Sequence, residues 1–225
     1  MTNNGEKTFF CSFLHRVMSS FTFTYQQVLH KLYYLCPEII LFYFMKKLTI
    51  EEMNRISVTD FHKAKKLPLT IILDDIRSFY NIGSIFRTSD AFRVEKIIIC
   101  GITACPPSVE IHKTALGAED SVDWQYYENI FTAIDELRRN NYMIVAVEQV
   151  EGSTKLNNWN LKKNTKYALI LGNEVKGVKQ DVVNVCDECL EIPQYGTKHS
   201  LNVSCTASIV IWEYFRKVIE NSISL

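Results

Sequence analysis

Ile192-Pro193-Gln194-Tyr195-Gly196-Thr197-Lys198-His199-Ser200-Leu201-Asn202-Val203-Ser204 runs directly into Cys205-Thr206-Ala207-Ser208-Ile209-Val210-Ile211-Trp212-Glu213-Tyr214-Phe215-Arg216. An apolar strand ends at a proline, a short loop carries Gly196, and Ser200 or Asn202 then opens an apolar helix. The first N–H groups of a helix have no partner within it, so such a start receives either a capping side chain or the polar edge of a ligand. Both readings fit these residues taken alone.

Two further stretches share this strand–loop–helix layout. Leu69-Thr70-Ile71-Ile72-Leu73 is a short, wholly buried type of strand. It ends in Asp74-Asp75-Ile76-Arg77, after which Asn81-Ile82-Gly83-Ser84-Ile85-Phe86-Arg87-Thr88 opens a helix reaching about Phe92. Tyr167-Ala168-Leu169-Ile170-Leu171 is a second buried strand, and it delivers Gly172-Asn173-Glu174-Val175-Lys176-Gly177-Val178 before a helix from about Lys179 to Cys186. The latter is neither a P-loop, since no Gly-Lys-Ser/Thr follows, nor a GxGxxG dinucleotide fingerprint. Strands at Glu95–Ile102 and Tyr142–Val147, with an amphipathic helix over Ile130–Asn140 between them, complete an alternating pattern. The pattern implies an α/β fold with a mainly parallel sheet flanked by helices. In such sheets ligands gather at the loops after the strand C-termini.

Composition narrows the partners. The chain has 225 residues, 47% of them hydrophobic and 22% charged, with a formal net charge of zero. That excludes an indiscriminate basic nucleic-acid binder and requires any RNA surface to be a local patch. Seven cysteines without a clear secretory signal point to a reducing, cytoplasmic setting. Cys186-Asp187-Glu188-Cys189 has zinc-like spacing, but its companions would be Cys100 and Cys105 at a looser one. Buried thiols are the simpler reading, and no metal is expected.

The chain divides into three parts. Residues 1–44 are rich in Phe, Tyr, Leu and Ser and read as an atypical N-terminal extension. The uninterrupted run Ile39–Met45 is too short to span a bilayer, so no membrane anchor is expected. Met45-Lys46-Lys47-Leu48 resembles a natural chain start. Residues 45–68 read as a short helical segment, Thr49 and Glu52 being spaced as a capping box, with the helix expected to run towards Lys66. Arg55, Lys63, Lys65 and Lys66 then form a solvated face. Residues 69–225 form the main domain. In the short helix expected over 111–118, Lys113 and Thr114 are candidates to meet phosphate or ribose, and His112 is assigned to structure or surface.

Asn-x-Gly-x-x-x-Arg, Gly-Asn-Glu-x-x-Gly and Pro-x-x-Gly followed by Ser-Leu-Asn-Val-Ser occur here in that order, each after an apolar strand. Together they resemble the three motifs of SpoU-type (TrmH-like) RNA ribose methyltransferases, of the SPOUT superfamily of α/β-knot enzymes. The resemblance covers roughly Leu69 to Arg216. It departs at Gln194, where many relatives carry Met.

The resemblance implies a deep C-terminal trefoil knot, an exception to the rule that chains do not thread loops. It implies S-adenosylmethionine as cofactor, a homodimer with the active site near the subunit interface, and methyl transfer to a ribose 2′-hydroxyl of tRNA or rRNA. Gly172, Ile192, Gln194, Gly196 and Leu201 would line the cofactor. Arg87, Asn81, Glu174, Ser200 and Asn202 would form the catalytic set, and Arg77, Arg87, Lys113 and Thr114 would meet RNA. Val203, Ile209, Ile211, Trp212 and Phe215 would serve the dimer interface or the core. RNA base methylation and a non-catalytic RNA-binding or assembly role are the alternatives.

Overall fold

The computed structural model describes residues 46–221. The extension read at residues 1–44 lies outside them. The chain divides into two units after Arg55. In the first, the Thr49–Glu52 capping box does form: the Thr49 N–H donates to Glu52 Oε2 at 2.9 Å and the Glu52 N–H to Thr49 Oγ1 at 3.3 Å. Only a turn results, ending at Asn54 with φ 47°. The helix expected to run on towards Lys66 is confined to α1, Val58–Lys63, in the second unit. Residues 50–60 are all exposed. A cap without a buried apolar face does not sustain a helix, because nucleation is unfavourable and packing must offset it.

The second unit alternates strands and helices. β1 is Leu67–Asp74, α2 Phe79–Ala91 and β2 Val94–Cys100. Two short helices follow, α3 Val109–Ala115 and α4 Ala118–Ser121, then β3 Trp124–Tyr127 and α5 Ile130–Arg139. β4 is Tyr142–Val147, β5 Thr154–Lys155 and β6 Lys166–Leu171. α6 is Gln180–Val185, β7 Glu188–Glu191 and α7 Val203–Asn221. The seven strands form one sheet in the order β3-β2-β1-β6-β4-β7-β5, and every neighbouring pair is parallel.

Strand periodicity of two splits the core between the two faces of the sheet. Leu69, Ile71 and Leu73 point to one face, where Ile82, Ile85 and Phe86 of α2 and Ala207, Val210, Ile211 and Tyr214 of α7 pack. Ile72, Ile98, Ile144 and Ile170 point to the other, against Ile130, Ala133, Ile134 and Leu137 of α5 and Val182 of α6. Most of these side chains are fully removed from water, each contributing about 1.5–3 kcal/mol. The result is helices on both sides of a buried parallel sheet, as the near-continuous apolar strands required.

Strand register decides which loops become neighbours. Leu73 pairs with Leu171, so the loops leaving β1 and β6 start side by side. Val147 pairs with Leu190, so the loops leaving β4 and β7 do likewise. α7 then lies on the β1 side of the sheet: Thr88 and Ser208 oxygens are 3.0 Å apart, and the Tyr214 hydroxyl donates to the Pro68 carbonyl at 2.9 Å.

Candidate functional site

Loops after β4, β6 and β7 enclose a cavity of about 650 Å³, within the range of pockets that hold small ligands. Its wall includes Glu148, Gln149, Gly172, Glu174, Gly177, Ile192, Gln194, Ser200, Leu201 and Asn202. Gly172 is dictated by close approach, since a Cβ there would lie 2.3 Å from Gly177 C and Val178 N.

Hydrogen bonds tie these loops to the one after β1. The Glu174 carboxylate accepts the backbone N–H groups of Arg77 and Ser78 and the Asn81 Nδ2 amide, each at 3.0 Å. Asn81 Oδ1 in turn accepts Asn202 Nδ2 at 3.1 Å. Asn202 Oδ1 accepts the N–H groups of Ser204 and Cys205, at 2.8 and 3.3 Å, and so caps α7. Between Ser200 and Asn202, the cap is therefore Asn202. Burial alone would raise the Glu174 carboxyl; the donors from Arg77, Asn81 and Ser78 outweigh it and hold the group below the ordinary carboxylate range.

Two more links join the β1 and β6 loops. Asn173 Nδ2 donates to the Asp75 carbonyl at 2.8 Å, while Asn173 Oδ1 accepts the Val175 and Lys176 N–H groups. Lys179 Nζ lies 2.6 Å from Asp75 and 4.0 Å from buried Asp74.

Arg87 lies elsewhere. It is exposed on α2, in a second cleft of about 600 Å³ shared with Ser84, Lys113, Ser208 and Trp212. Among the described residues neither Arg87 nor Lys113 has a carboxylate within 4 Å. Trp212, 51% exposed, stands beside Phe92 and Phe215 with ring centroids 5.8 and 6.0 Å away.

The profile of the SpoU rRNA Methylase family matches residues 68–212. The chain belongs to this family. A TrmH family tRNA/rRNA methyltransferase of Staphylococcus aureus (strain MSSA476) is 32% identical over 151 residues, which is 67% of this chain and 60% of that protein. The chain thus spans about 60% of the length of the curated relatives it matches. The crystal structure of an AdoMet-bound rRNA methyltransferase from Sinorhizobium meliloti superposes with TM-score 0.63 at 27% identity, covering 68% of this chain and 57% of that one. The A. aeolicus TrmH/SpoU tRNA modifying enzyme shares the fold, with TM-score 0.65 at 23% identity over 73% of this chain and 83% of that one.

In this SpoU-family chain, the residues singled out by sequence fall into two groups. Glu174, Ser200, Asn202, Gly172, Ile192, Gln194 and Leu201 line the first cavity, and Asn81 is bonded to two of them. Arg87, Lys113 and Thr114 line the second cleft. Thr114 also serves packing there: its hydroxyl lies 3.0 Å from the Tyr80 carbonyl, and a Cβ on Gly83 would lie 2.2 Å from it. Gly196 is exposed and lines neither cavity. Arg77 contributes its N–H to Glu174 while its side chain is exposed. His112 is exposed, 2.6 Å from Glu119. On α7, Val203 and Ile211 belong to the core and Phe215 packs against it, whereas Ile209 and Trp212 face outwards.

Sequence reasoning passed over Glu148, Asn173, Ser78 and Lys179. Glu148 and Asn173 had a positional signal, since each follows a strand that ends on the ligand-bearing edge of the sheet, Asn173 within the Gly-Asn-Glu motif itself. Among the described residues no group of three or more His, Cys, Asp or Glu side chains is arranged to hold a metal. Cys186 donates to the Val182 carbonyl at 3.2 Å, and burial pushes its thiol up to about 12. No helix among the described residues is long and apolar enough to cross a membrane.

Proposed function

We propose that this chain is a cytoplasmic, S-adenosylmethionine-dependent RNA methyltransferase acting on a ribose 2′-hydroxyl of tRNA or rRNA. The observation that carries the reading is the run of hydrogen bonds Glu174–Asn81–Asn202. It joins one residue from each of the three motifs beside a cavity of ligand size. The S. meliloti relative, described as AdoMet bound, supports the cofactor.

The cavity fits such a group. It is walled by backbone at Gly172, where no side chain has room, and by Ile192, Gln194 and Leu201. When bound, S-adenosylmethionine supplies a methyl group on a positively charged sulfur. Alignment of that group with the accepting hydroxyl then dominates the rate. Glu174, Asn81 and Asn202 hold the loops in register for it, and Ser200 lines the cavity beside them.

Arg87 is the residue assigned to the accepting RNA. A guanidinium stays protonated in proteins, so it serves as donor to the target phosphate and to the developing alkoxide. The proton leaves through phosphate or water. Lys113 lines the same cleft, and Arg77, exposed on the β1 loop beside Glu174, is a further cation for the RNA. Exposed Ile209 and Trp212 on α7 suit a homodimer interface that brings this cleft to a partner's cofactor cavity. The passage of residues 192–202 from the end of β7 back to the β1 side, along the β4 and β6 loops, supports threading into a deep trefoil knot.

The test is methyl transfer from labelled S-adenosylmethionine to total tRNA and to rRNA from cells lacking the protein, followed by nucleoside analysis. A 2′-O-methylated nucleoside in one pool is expected and names the substrate. A methylated base overturns the ribose assignment. Cofactor binding without transfer to either pool overturns the enzymatic reading for these RNAs.

A further inference from the structure

The cavity wall carries Glu148, Glu174 and Glu191 against the exposed Lys176. Glu191 is offset by Lys155 at 2.5 Å and accepts from Ser153 at 2.7 Å. Glu174 is occupied by its three donors from the β1 loop and α2. Glu148 differs from both. Its Oε1 accepts the Gln149 N–H at 2.8 Å and its Oε2 the Val178 N–H at 2.9 Å. Among the described residues it has no basic side chain within 4 Å. Each carboxylate oxygen has two lone pairs, so acceptor capacity remains on both.

The main chain is shaped around this carboxylate. Gly177 adopts φ +67°, and a Cβ there would stand 2.1 Å from Glu148 Oε2. A side chain at 177 would therefore displace the carboxylate from Val178. The glycine both makes the turn and leaves room for the negative charge. Two backbone donors then fix that charge in the cavity wall without neutralising it.

We propose that Glu148 is a selectivity residue that favours the positively charged methyl donor over the uncharged product left after transfer. The inference rests on the cofactor reading proposed for the first cavity. Methyl transfer breaks the sulfur–methyl bond and forms an oxygen–methyl bond at the RNA hydroxyl. The bonding pair stays on sulfur, and the hydroxyl proton goes to solvent. The sulfonium thereby becomes a neutral thioether, and S-adenosylhomocysteine carries one positive charge fewer than S-adenosylmethionine. A fixed carboxylate with no cation beside it attracts the first more than the second, and this assists product exchange.

The experiment is calorimetric titration of the full chain with S-adenosylmethionine and with S-adenosylhomocysteine. Wild type is expected to bind the methyl donor more tightly. Glu148→Gln, which keeps the shape and removes the charge, is expected to narrow that preference by roughly fivefold or more. Glu148→Asp, which keeps the charge and shortens the reach, is expected to weaken both ligands while retaining the preference. In wild type, added salt should weaken binding of the donor more than of the product, a readout that does not depend on any variant folding. Equal loss of both ligands in Glu148→Gln, or a wild-type preference for the product, overturns the proposal. Wild type that binds neither compound overturns the cofactor reading itself.

Discussion

The two cavities of this chain are built on opposite principles. Around the first, donors and acceptors answer one another: Glu174 is occupied by Arg77, Ser78 and Asn81, Asn81 by Asn202, and Asn173 by the Asp75 carbonyl. Around the second, Arg87 and Lys113 have no acidic partner among the described residues, and half of Trp212 is open to solvent. A region whose polar groups are already paired is pre-organised and suits a small ligand that enters a fixed shape. One that presents unpaired cations suits a macromolecule that brings its own charge, and the exposed aromatic surface beside them suits a second copy of the chain. The division separates Arg87 from Asn81 although both stand in one motif, while the other motif residues named here stay with the first cavity or its loops.

The largest effect should come from the tightest contact on the paired side. Gly172→Ala places a Cβ 2.3 Å from Gly177 C and Val178 N, so the loop must shift. Calorimetry should show S-adenosylmethionine affinity lowered by about a hundredfold, with RNA binding by the second cleft retained. Next is Glu174→Gln, which leaves at least one of three donors unanswered and should lower stability by about 1–3 kcal/mol in urea titrations. This difference has a pH signature. The folded Glu174 titrates below its ordinary 4.5, so its contribution is fully present above that value and is lost as pH falls through the folded one. Wild type and variant should converge at the acid end.

On the open side, Trp212→Ala should weaken self-association by about 1–2 kcal/mol, read by sedimentation equilibrium, and leave cofactor affinity unchanged. The smallest effect belongs to Asp74, buried beneath the Lys179 link. Burial raises its carboxyl, and Lys179 opposes that only in part. The charged form is thus disfavoured on folding, a cost absent below its ordinary 3.8 and growing as pH rises through the folded value. Asp74→Asn should be neutral or more stable by up to about 1 kcal/mol at pH 7, with a smaller gain at pH 3. A large loss in thermal denaturation would show that the Lys179 pair contributes more than burial costs.

Much of the fold and the first cavity was legible in the residues. The apolar runs of β1, β2, β4 and β6 announced a buried parallel sheet, and the motif residues after β6 and β7 do meet in one cavity. β3 was missed because Trp124–Tyr127 is an edge strand with no buried position, so it carries no apolar pattern. β5 has only two residues. The Thr49–Glu52 box misled because capping chemistry is local, whereas helix persistence depends on packing. Glu148 was invisible as a partner since both its acceptor bonds are to main chain, the longer-range one to Val178 N–H, thirty residues on. The two-site layout did have a sequence signal. Asn81 and Arg87 are six apart on one helix, about 120° from each other around its axis, so they point in different directions.

The central claim is that the cofactor and RNA sites are separable, with Arg87 belonging to the second. The most direct test is Arg87→Ala, measured both by calorimetric titration with S-adenosylmethionine and by labelled methyl transfer to the responsive RNA pool. The account predicts cofactor affinity within about twofold of wild type and transfer reduced by about a hundredfold or more. Parallel loss of both would contradict it, making Arg87 a support of the cofactor cavity rather than the group that meets RNA.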